Sequence, residues 1–188
     1  MDMRILGLAI TVVSVIAACA PNVDADSSVS GEYLIKAAYL YNFMKFIEWQ
    51  SEAFAAELSP INLCILGADP FGAALQSIRD KTVRGRRIHI RHVNDVQEAS
   101  GCHVLFISAS EKGSLKQILA ALKHSAILTV GEVERFAQQG GIINFILVEN
   151  KIHFEINPEA AQQHGIKISS QVLRLAKIVS SESRRENE

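Results

Sequence analysis

The sequence has few of the residues on which a disulfide scaffold, a collagen-like chain or a nucleic-acid-binding surface depends. Three cysteines are too few for a disulfide-rich scaffold, and 4 prolines with 11 glycines in 188 residues exclude a collagen-like or linker-like chain. The 19 basic and 20 acidic residues nearly cancel, so the chain as a whole does not attract nucleic acid or anionic lipid. Apolar residues make up 48%, which is enough for one globular domain with its own core.

Complete motifs for catalysis, metal binding or phosphate binding are also missing. The segment Gly67–Gly72 follows a predicted strand, but it contains neither G-x-G-x-x-G nor the Gly-Lys-Ser/Thr of a phosphate loop. His89 and His92 are three positions apart on a predicted strand and therefore on opposite faces, so one metal ion does not readily bind both. Ser108 and Ser110 lack the G-x-S-x-G context of a nucleophile elbow. We therefore expect no catalytic residue, no metal ion and no cofactor.

An apolar run near the N-terminus predicts export. The run from Ile5 to Ala18 is shorter than the roughly 20 residues that span a membrane, and it ends in small residues, as secretory signals do. The segment Ile16-Ala17-Ala18-Cys19 looks like a bacterial lipoprotein box, which makes Cys19 a candidate lipid anchor, whereas a cut after Val23-Asp24-Ala25 would remove Cys19. We expect a signal peptide or lipoprotein signal with a short tether over residues 1–25. Residues 26–188 are expected to form a single domain, with its core over about 32–179.

Export leaves two cysteines, Cys64 and Cys102, in the mature domain. An even number of cysteines in an oxidising compartment favours one disulfide. Cys64 lies inside the apolar run Ile61–Leu66, and Cys102 directly precedes another, so the two sulfurs can meet if these runs are neighbouring strands. Two buried free thiols are the alternative, since cysteine is also an ordinary small core residue.

Strand and helix patterns alternate along the mature chain. A helix is predicted over Glu32–Trp49, with a narrow polar stripe that includes Lys36. Apolar runs that indicate strands buried on both faces are followed by helical patterns. The order predicts an α/β fold, a layered Rossmann-like domain with a mainly parallel sheet flanked by helices. The predicted strands cover residues 61–67, 86–93, 104–108, 126–131 and 142–148.

The last part of the sequence predicts an antiparallel hairpin. Glu149-Asn150 is a two-residue connection between the strand 142–148 and the alternating run Ile152–Asn157. The alternation predicts a solvent-exposed face on the last strand, at His153, Glu155 and Asn157. A terminal helix is predicted over Val172–Val179.

One short segment carries a dense positive charge. Because it alternates with apolar residues and contains no interleaved aromatic residues, we expect the solvated face of an edge strand. A face for an anionic ligand or an acidic partner is the alternative. For an exported protein we expect no nucleic acid as a partner. The segment comprises Lys81, Arg84, Arg86, Arg87, His89, Arg91 and His92.

Several stretches resemble the YfiR family of periplasmic repressors, over about Glu32 to Val179. Each stretch alone is a weak signal, but their order along the chain is specific. They are Lys36-Ala37-Ala38-Tyr39-Leu40-Tyr41-Asn42-Phe43, Phe46-Ile47-Glu48-Trp49, Leu63-Cys64-Ile65-Leu66-Gly67, Asp69-Pro70-Phe71-Gly72, Cys102-His103-Val104-Leu105-Phe106-Ile107-Ser108, Ile127-Leu128-Thr129-Val130-Gly131, Gly140-Gly141-Ile142-Ile143-Asn144-Phe145, Phe154-Glu155-Ile156-Asn157 and Lys167-Ile168-Ser169-Ser170.

The resemblance implies a non-enzymatic, dimer-forming periplasmic protein. Such a protein holds an inner-membrane diguanylate cyclase inactive by binding its periplasmic part, which restrains cyclic-di-GMP signalling and biofilm formation. The resemblance also implies an outer-membrane lipoprotein as antagonist and a disulfide between Cys64 and Cys102. A second cysteine pair, present in some members near the final hairpin, is absent here.

The final hairpin is the surface that we expect to bind the partner, because an exposed alternating edge there lies beside a very apolar strand. The expected contact residues are Ile143, Phe145, Phe154, Glu155 and Ile156. An alternative function is a periplasmic small-ligand-binding accessory protein of a sensor kinase or transporter. Its ligand would lie in a crevice beside Gly67, Ser108 and Gly131, at the ends of predicted strands.

Overall fold

The computed structural model describes residues 24–181, with side chains from residue 31 onward. The predicted signal up to residue 23, including Cys19, and the tail from residue 182 lie outside the described residues. In the described part, no helix is both long and apolar enough to cross a membrane. The helices are α1 (Asp24–Phe46), α2 (Leu115–Ala121), α3 (Pro158–Gln163) and α4 (Ser170–Leu173). The strands are β1 (Ile47–Glu48), β2 (Ile61–Leu66), β3 (Thr82–Val83), β4 (Arg86–Val93), β5 (Val104–Ile107), β6 (Leu128–Gly131), β7 (Ile143–Val148), β8 (Lys151–Ile156), β9 (Lys167–Ile168) and β10 (Lys177–Ile178).

Eight strands form one sheet in the order β10-β8-β7-β6-β5-β2-β4-β3. The central strands β4, β2, β5, β6 and β7 are parallel, whereas β8 is antiparallel to β7. Because β2 lies between β4 and β5, the chain winds outward from β2 in both directions, as in doubly wound folds. The structure confirms the α/β fold with a mainly parallel sheet and a C-terminal antiparallel hairpin. At the other end of the sheet, only the two-residue β3 covers β4, so the basic segment lies at a sheet edge.

Side chains of the central strands alternate between two cores, one on each face of the sheet. Leu63 and Ile65 of β2 belong to the larger core, which also contains buried residues of α1. Cys64 and Leu66, their neighbours in sequence, belong to the smaller core, together with buried residues of α2. Burial on both faces explains why the sequence of β2 is a continuous apolar run.

The two cysteines of the described chain form a disulfide. Cys64 lies in β2 and Cys102 directly precedes the neighbouring strand β5, and their Cα atoms are 6.0 Å apart. Both residues are buried in the smaller core. The structure thus confirms the predicted pairing of Cys64 with Cys102.

The N-terminal helix ends earlier than the sequence predicts. α1 stops at Phe46, because Ile47 and Glu48 form β1 and pair antiparallel with β9. Lys36, which we assigned to a polar stripe, is only 5% exposed and lies among buried residues. The prediction for Lys36 is therefore wrong, and its ammonium group must have partners inside the fold.

The predicted terminal helix is also wrong. α4 ends at Leu173, and the chain then runs back along the hairpin as β10. β10 pairs in parallel with β8, Lys177 beside Glu155 and Ile178 beside Ile156, and the N–H of Val179 donates to Ile156. β8 is therefore not an edge strand at this end.

His103 is held in its neutral form by two backbone groups. Its Nδ1 accepts the N–H of Asn62 at 3.0 Å, and its Nε2 donates to the carbonyl of Ala53 at 3.0 Å. A proton on Nδ1 would face the N–H of Asn62. Burial, which disfavours the charged ring, lowers the pKa of His103, and the positive charge of Arg86 acts in the same direction.

We predict that this histidine makes stability depend on pH. Because the pKa of His103 is lower in the folded state than its ordinary value of 6.5, its contribution is complete above pH 6.5 and is lost as the pH falls below it. Urea unfolding should give a smaller free energy of unfolding at pH 5.5 than at pH 7.5, and His103→Gln should reduce that difference. An NMR titration of the His103 ring with a midpoint at or above 6.5 would contradict this prediction.

Candidate partner-binding site

The hairpin of β7 and β8 extends beyond the strands on either side of it. β6 pairs with β7 only at Ile143 and Asn144, and β10 pairs with β8 only at Glu155 and Ile156. From Phe145 to Phe154, the two strands therefore pair only with each other within residues 24–181. We call this ribbon, residues 145–154, the arm. In the part of the chain that the structure describes, both of its outer edges present strand backbone without a neighbouring strand, which is a typical template for an added strand.

The arm has a rigid base. Phe145 and Phe154 lie opposite each other, and both pack against Phe43 of α1, with ring centroids 5.9 and 5.0 Å away. Tyr39, one turn earlier in α1, contacts the same two rings. These aromatic contacts fix the direction in which the arm leaves the sheet.

The tip of the arm is apolar and exposed. Leu147 is 56% exposed and Val148 is 44% exposed, directly before the turn. The turn residues Glu149 and Asn150 have φ angles of +48° and +60°, as a two-residue hairpin of type I′ requires. The two adjacent apolar side chains at the tip, next to the unpaired strand edges, offer a partner apolar surface to cover.

The five expected contact residues are not on the surface. Their exposed fractions lie between 0% and 4%, because α1 covers one side of the hairpin base and β10 pairs with its outer edge. The expectation that they form an exposed face is therefore wrong. These residues are Ile143, Phe145, Phe154, Glu155 and Ile156. They form the base of the arm and the part of the hairpin below it. The expectation did not include the exposed residues of the arm, Leu147 and Val148, although an apolar run that continues up to a turn is a visible signal.

Glu155 holds β10 against β8. Its carboxylate accepts hydrogen bonds from Lys177 at 2.8 Å and from Asn144 and Gln138 at 3.3 Å each. Burial acts to raise the pKa of Glu155, but these hydrogen bonds and the charge of Lys177 together hold it below its ordinary value. A substitution at Glu155 would thus disturb the pairing of β10 with β8 rather than a surface that contacts a partner. Of the three residues predicted to form a solvent-exposed face of this strand, only His153 is exposed, since Glu155 and Asn157 are both buried.

A buried ion-pair cluster lies at the foot of the arm. The ammonium group of Lys36 contacts Glu132 at 2.6 Å and Glu32 at 2.5 Å. Tyr33 donates its hydroxyl to the other oxygen of Glu132 at 3.0 Å. Burial and the neighbouring carboxylate of Glu132 raise the pKa of Tyr33, so this hydroxyl keeps its proton. The cluster joins α1 to the carboxyl end of β6.

A cavity of about 280 Å³ connects this cluster to the arm. Lys36 and Glu132 form its polar side, and Leu147 and Ile152 of the arm contribute to its apolar side. One ammonium and two carboxylates leave one net negative charge in the cluster. The foot of the arm therefore combines an apolar wall with an acidic group, a combination that fits an apolar segment carrying a basic residue.

Side chains fill the space beside two glycines of the crevice that we predicted for a small ligand. Beside Gly67, the side chains of Ser110 and Glu111 occupy the space where a side chain would begin, and the N–H of Ala68 donates to Ser110. Beside Gly131, the ring of Phe136 does the same. Gly67 and Gly131 are thus required for close packing. The 280 Å³ cavity at the foot of the arm lies next to this crevice, since Ala109 and Glu132, which directly follow Ser108 and Gly131, line it.

The described surface also carries an apolar groove and an exposed charged pair. A groove of about 370 Å³ lies beside α3 and β9, lined by apolar residues that include Ala161, Ile166 and Leu173. His92 and Asp69 form an exposed pair at 2.9 Å at the carboxyl edge of the sheet. Within residues 24–181, no three histidine, cysteine or acidic side chains converge as metal ligands.

Comparisons with known proteins identify one family. A family model described as YfiR/HmsC-like matches residues 33–177. No curated protein matches. The similar solved structures include a conserved domain protein from Vibrio cholerae O1 biovar eltor and an ABC domain in complex with L-Trp from Streptococcus pneumonia.

The similarity to these two structures is low. The first is 13% identical with a TM-score of 0.49 and aligns with 78% of this chain and 59% of its own. The second is 12% identical with a TM-score of 0.46 and aligns with 63% of this chain and 55% of its own. The chain thus spans little more than half the length of either structure.

Proposed function

The chain belongs to the YfiR/HmsC-like family, and we propose that it represses an inner-membrane diguanylate cyclase by binding the periplasmic part of that enzyme. Membership in the family supports periplasmic regulation of diguanylate cyclases at the family level. The finer proposal is that this chain acts by occupying a surface of the cyclase and catalyses no reaction. Free protein in the periplasm would then restrain cyclic-di-GMP production and biofilm formation.

The observation that carries this proposal is the arm. Its base is fixed by aromatic contacts with α1, while Leu147 and Val148 at the tip are exposed. Covering one large apolar side chain contributes roughly 1.5–3 kcal/mol, and the unpaired strand edges offer backbone hydrogen bonds to an extended segment. We propose that the periplasmic part of the cyclase supplies that segment, with a basic residue near the acidic foot of the arm.

Two further parts of the proposal come from the family. The resemblance implies a homodimer and an outer-membrane lipoprotein that competes for the repressor. Neither is needed for the arm to bind the cyclase. A lipid on Cys19, if the chain is processed at that residue, would hold the repressor at a membrane.

A charged residue at the tip should release the cyclase. Leu147→Asp places a carboxylate where the partner would cover an apolar side chain, and Leu147 is exposed enough for the fold to tolerate the change. In a strain with its cognate cyclase, we expect cyclic-di-GMP to rise towards the level of a strain lacking the repressor. Leu175→Asp is the matched control, because Leu175 is 74% exposed and lies outside the arm. Normal repression by Leu147→Asp at normal protein levels would contradict the proposal.

A further inference from the structure

A second cavity, here called the Trp49 chamber, lies between α1, the segment after β1 and the β3–β4 turn. Its volume is about 370 Å³, which is within the range of small-molecule sites. Met44, Phe54 and Val83 form part of its apolar wall, and Arg84 and Arg86 also line it. The chamber is separate from the arm and the ion-pair cluster, since it shares no lining residue with the cavity at the foot of the arm.

The polar groups of the chamber wall are mainly hydrogen-bond donors. The indole nitrogen of Trp49 is buried and has no hydrogen-bond partner among the residues that the structure describes. Neither Arg84 nor Arg86 pairs with a carboxylate of the described chain, and both donate only to backbone carbonyls. The one carboxylate in the wall, that of Glu57, belongs to an exposed residue. The two guanidinium groups therefore have N–H groups left to donate to a ligand that supplies oxygen atoms.

The wall is held in place before any ligand arrives. The ring of Phe54 lies between the guanidinium of Arg86, 3.7 Å from its centroid, and the ring of His103, 4.4 Å away and nearly parallel. Arg86 also donates to the carbonyls of Ala56 and Ser59 at 3.0 and 2.8 Å. These contacts use one end of the guanidinium group, and its remaining N–H groups have no partner among the described residues. A rigid wall lowers the entropy that a ligand must offset on binding.

We propose that the Trp49 chamber binds a small organic anion with an apolar body, of the class of medium-chain carboxylates. The carboxylate oxygens accept from the donors of the chamber, chiefly the two arginines, and the hydrocarbon lies along Met44, Phe54 and Val83. Guanidinium groups suit carboxylates because they present several donors in one plane. The site would give a periplasmic regulator an input from small molecules, and it stands whether or not the arm binds a cyclase.

The sequence contains a built-in reporter for this site, since Trp49 is its one tryptophan. We expect a saturable change in tryptophan fluorescence when the exported chain is titrated with hexanoate, octanoate or decanoate. Octylamine, which is positively charged, and 1-octanol, which is neutral, match octanoate in length but lack its negative charge. Both should bind at least roughly tenfold more weakly than octanoate. If none of the three carboxylates gives a saturable change at millimolar concentrations, the proposal is wrong.

Two arginine variants separate this site from general attraction of anions. Arg84→Gln should weaken octanoate binding roughly tenfold, because it removes a charged donor from the chamber wall. Arg87→Gln removes the same charge from an exposed residue that does not line the chamber, and binding should be unchanged. Equal affinities in the two variants, with unchanged melting temperatures, would overturn the proposal. Repression of the cyclase is not part of this readout, so the two proposals fail independently.

Discussion

Lys36→Met is expected to lower the free energy of unfolding by about 3 kcal/mol, because it leaves a buried carboxylate without its partner. Lys36 is 5% exposed, and the side chain of Glu132 is only 11% exposed. Glu32 is closer to solvent and can rehydrate, but Glu132 would keep only its hydrogen bond from Tyr33. Urea unfolding at neutral pH measures the loss.

The double variant Lys36→Met/Glu132→Gln is the control for this prediction. It removes the buried charge together with its partner, so it should recover most of the stability that the single variant loses. A loss below about 1 kcal/mol in Lys36→Met would show that the cluster is more hydrated than its burial indicates. Because the cluster lies at the foot of the arm, the single variant should also weaken repression.

Removal of the disulfide has an expected effect of similar size. Cys64 and Cys102 are 38 positions apart, and a cross-link of that span stabilises by up to about 4 kcal/mol in the chain-entropy model. Cys64→Ala/Cys102→Ala should therefore unfold at a much lower urea concentration than the oxidised chain. The unfolded chain gains the conformational freedom that the bridge removes.

Reduction of the unmodified chain provides the comparison for the disulfide prediction. Both cysteines are buried, so a reductant should act on the bridge only when the domain opens. Chain that is unfolded, reduced and refolded in dithiothreitol should match the double alanine variant in stability. If reduced and oxidised chains unfold at the same urea concentration, the bridge contributes nothing and this part of the account is wrong.

The sequence predicts the features of the fold that depend on neighbours in the chain. The buried strands are continuous apolar runs because both faces of the sheet are covered, and β2 shows this directly. The turn at Glu149 and Asn150 follows from its length of two residues. The pairing of Cys64 with Cys102 agrees with the expectation of one disulfide, which rested on predicted export and on the positions of both cysteines beside apolar runs.

The errors concern contacts between distant parts of the chain. Lys36 reads as a surface residue because its partner, Glu132, lies 96 positions away. α1 ends at Phe46 because Ile47 pairs with Ile168, which no local pattern near Trp49 can indicate.

The errors at the candidate site also come from contacts between distant parts of the chain. β10 is a two-residue strand in a stretch with helical spacing, and only its pairing with β8 defines it. That pairing buries Glu155 and moves the exposed surface of the hairpin to Leu147 and Val148. The sequence therefore predicts the hairpin as an element, but it does not predict which of its residues can meet a partner.

The most direct test of the central claim is the affinity of the purified chain for the isolated periplasmic part of its cognate cyclase. The account predicts saturable binding by the unmodified chain and by Leu175→Asp, and an affinity about 10- to 100-fold lower for Leu147→Asp. Equal affinities for all three proteins would remove the arm from the interface, and no binding by the unmodified chain would contradict repression by occupancy.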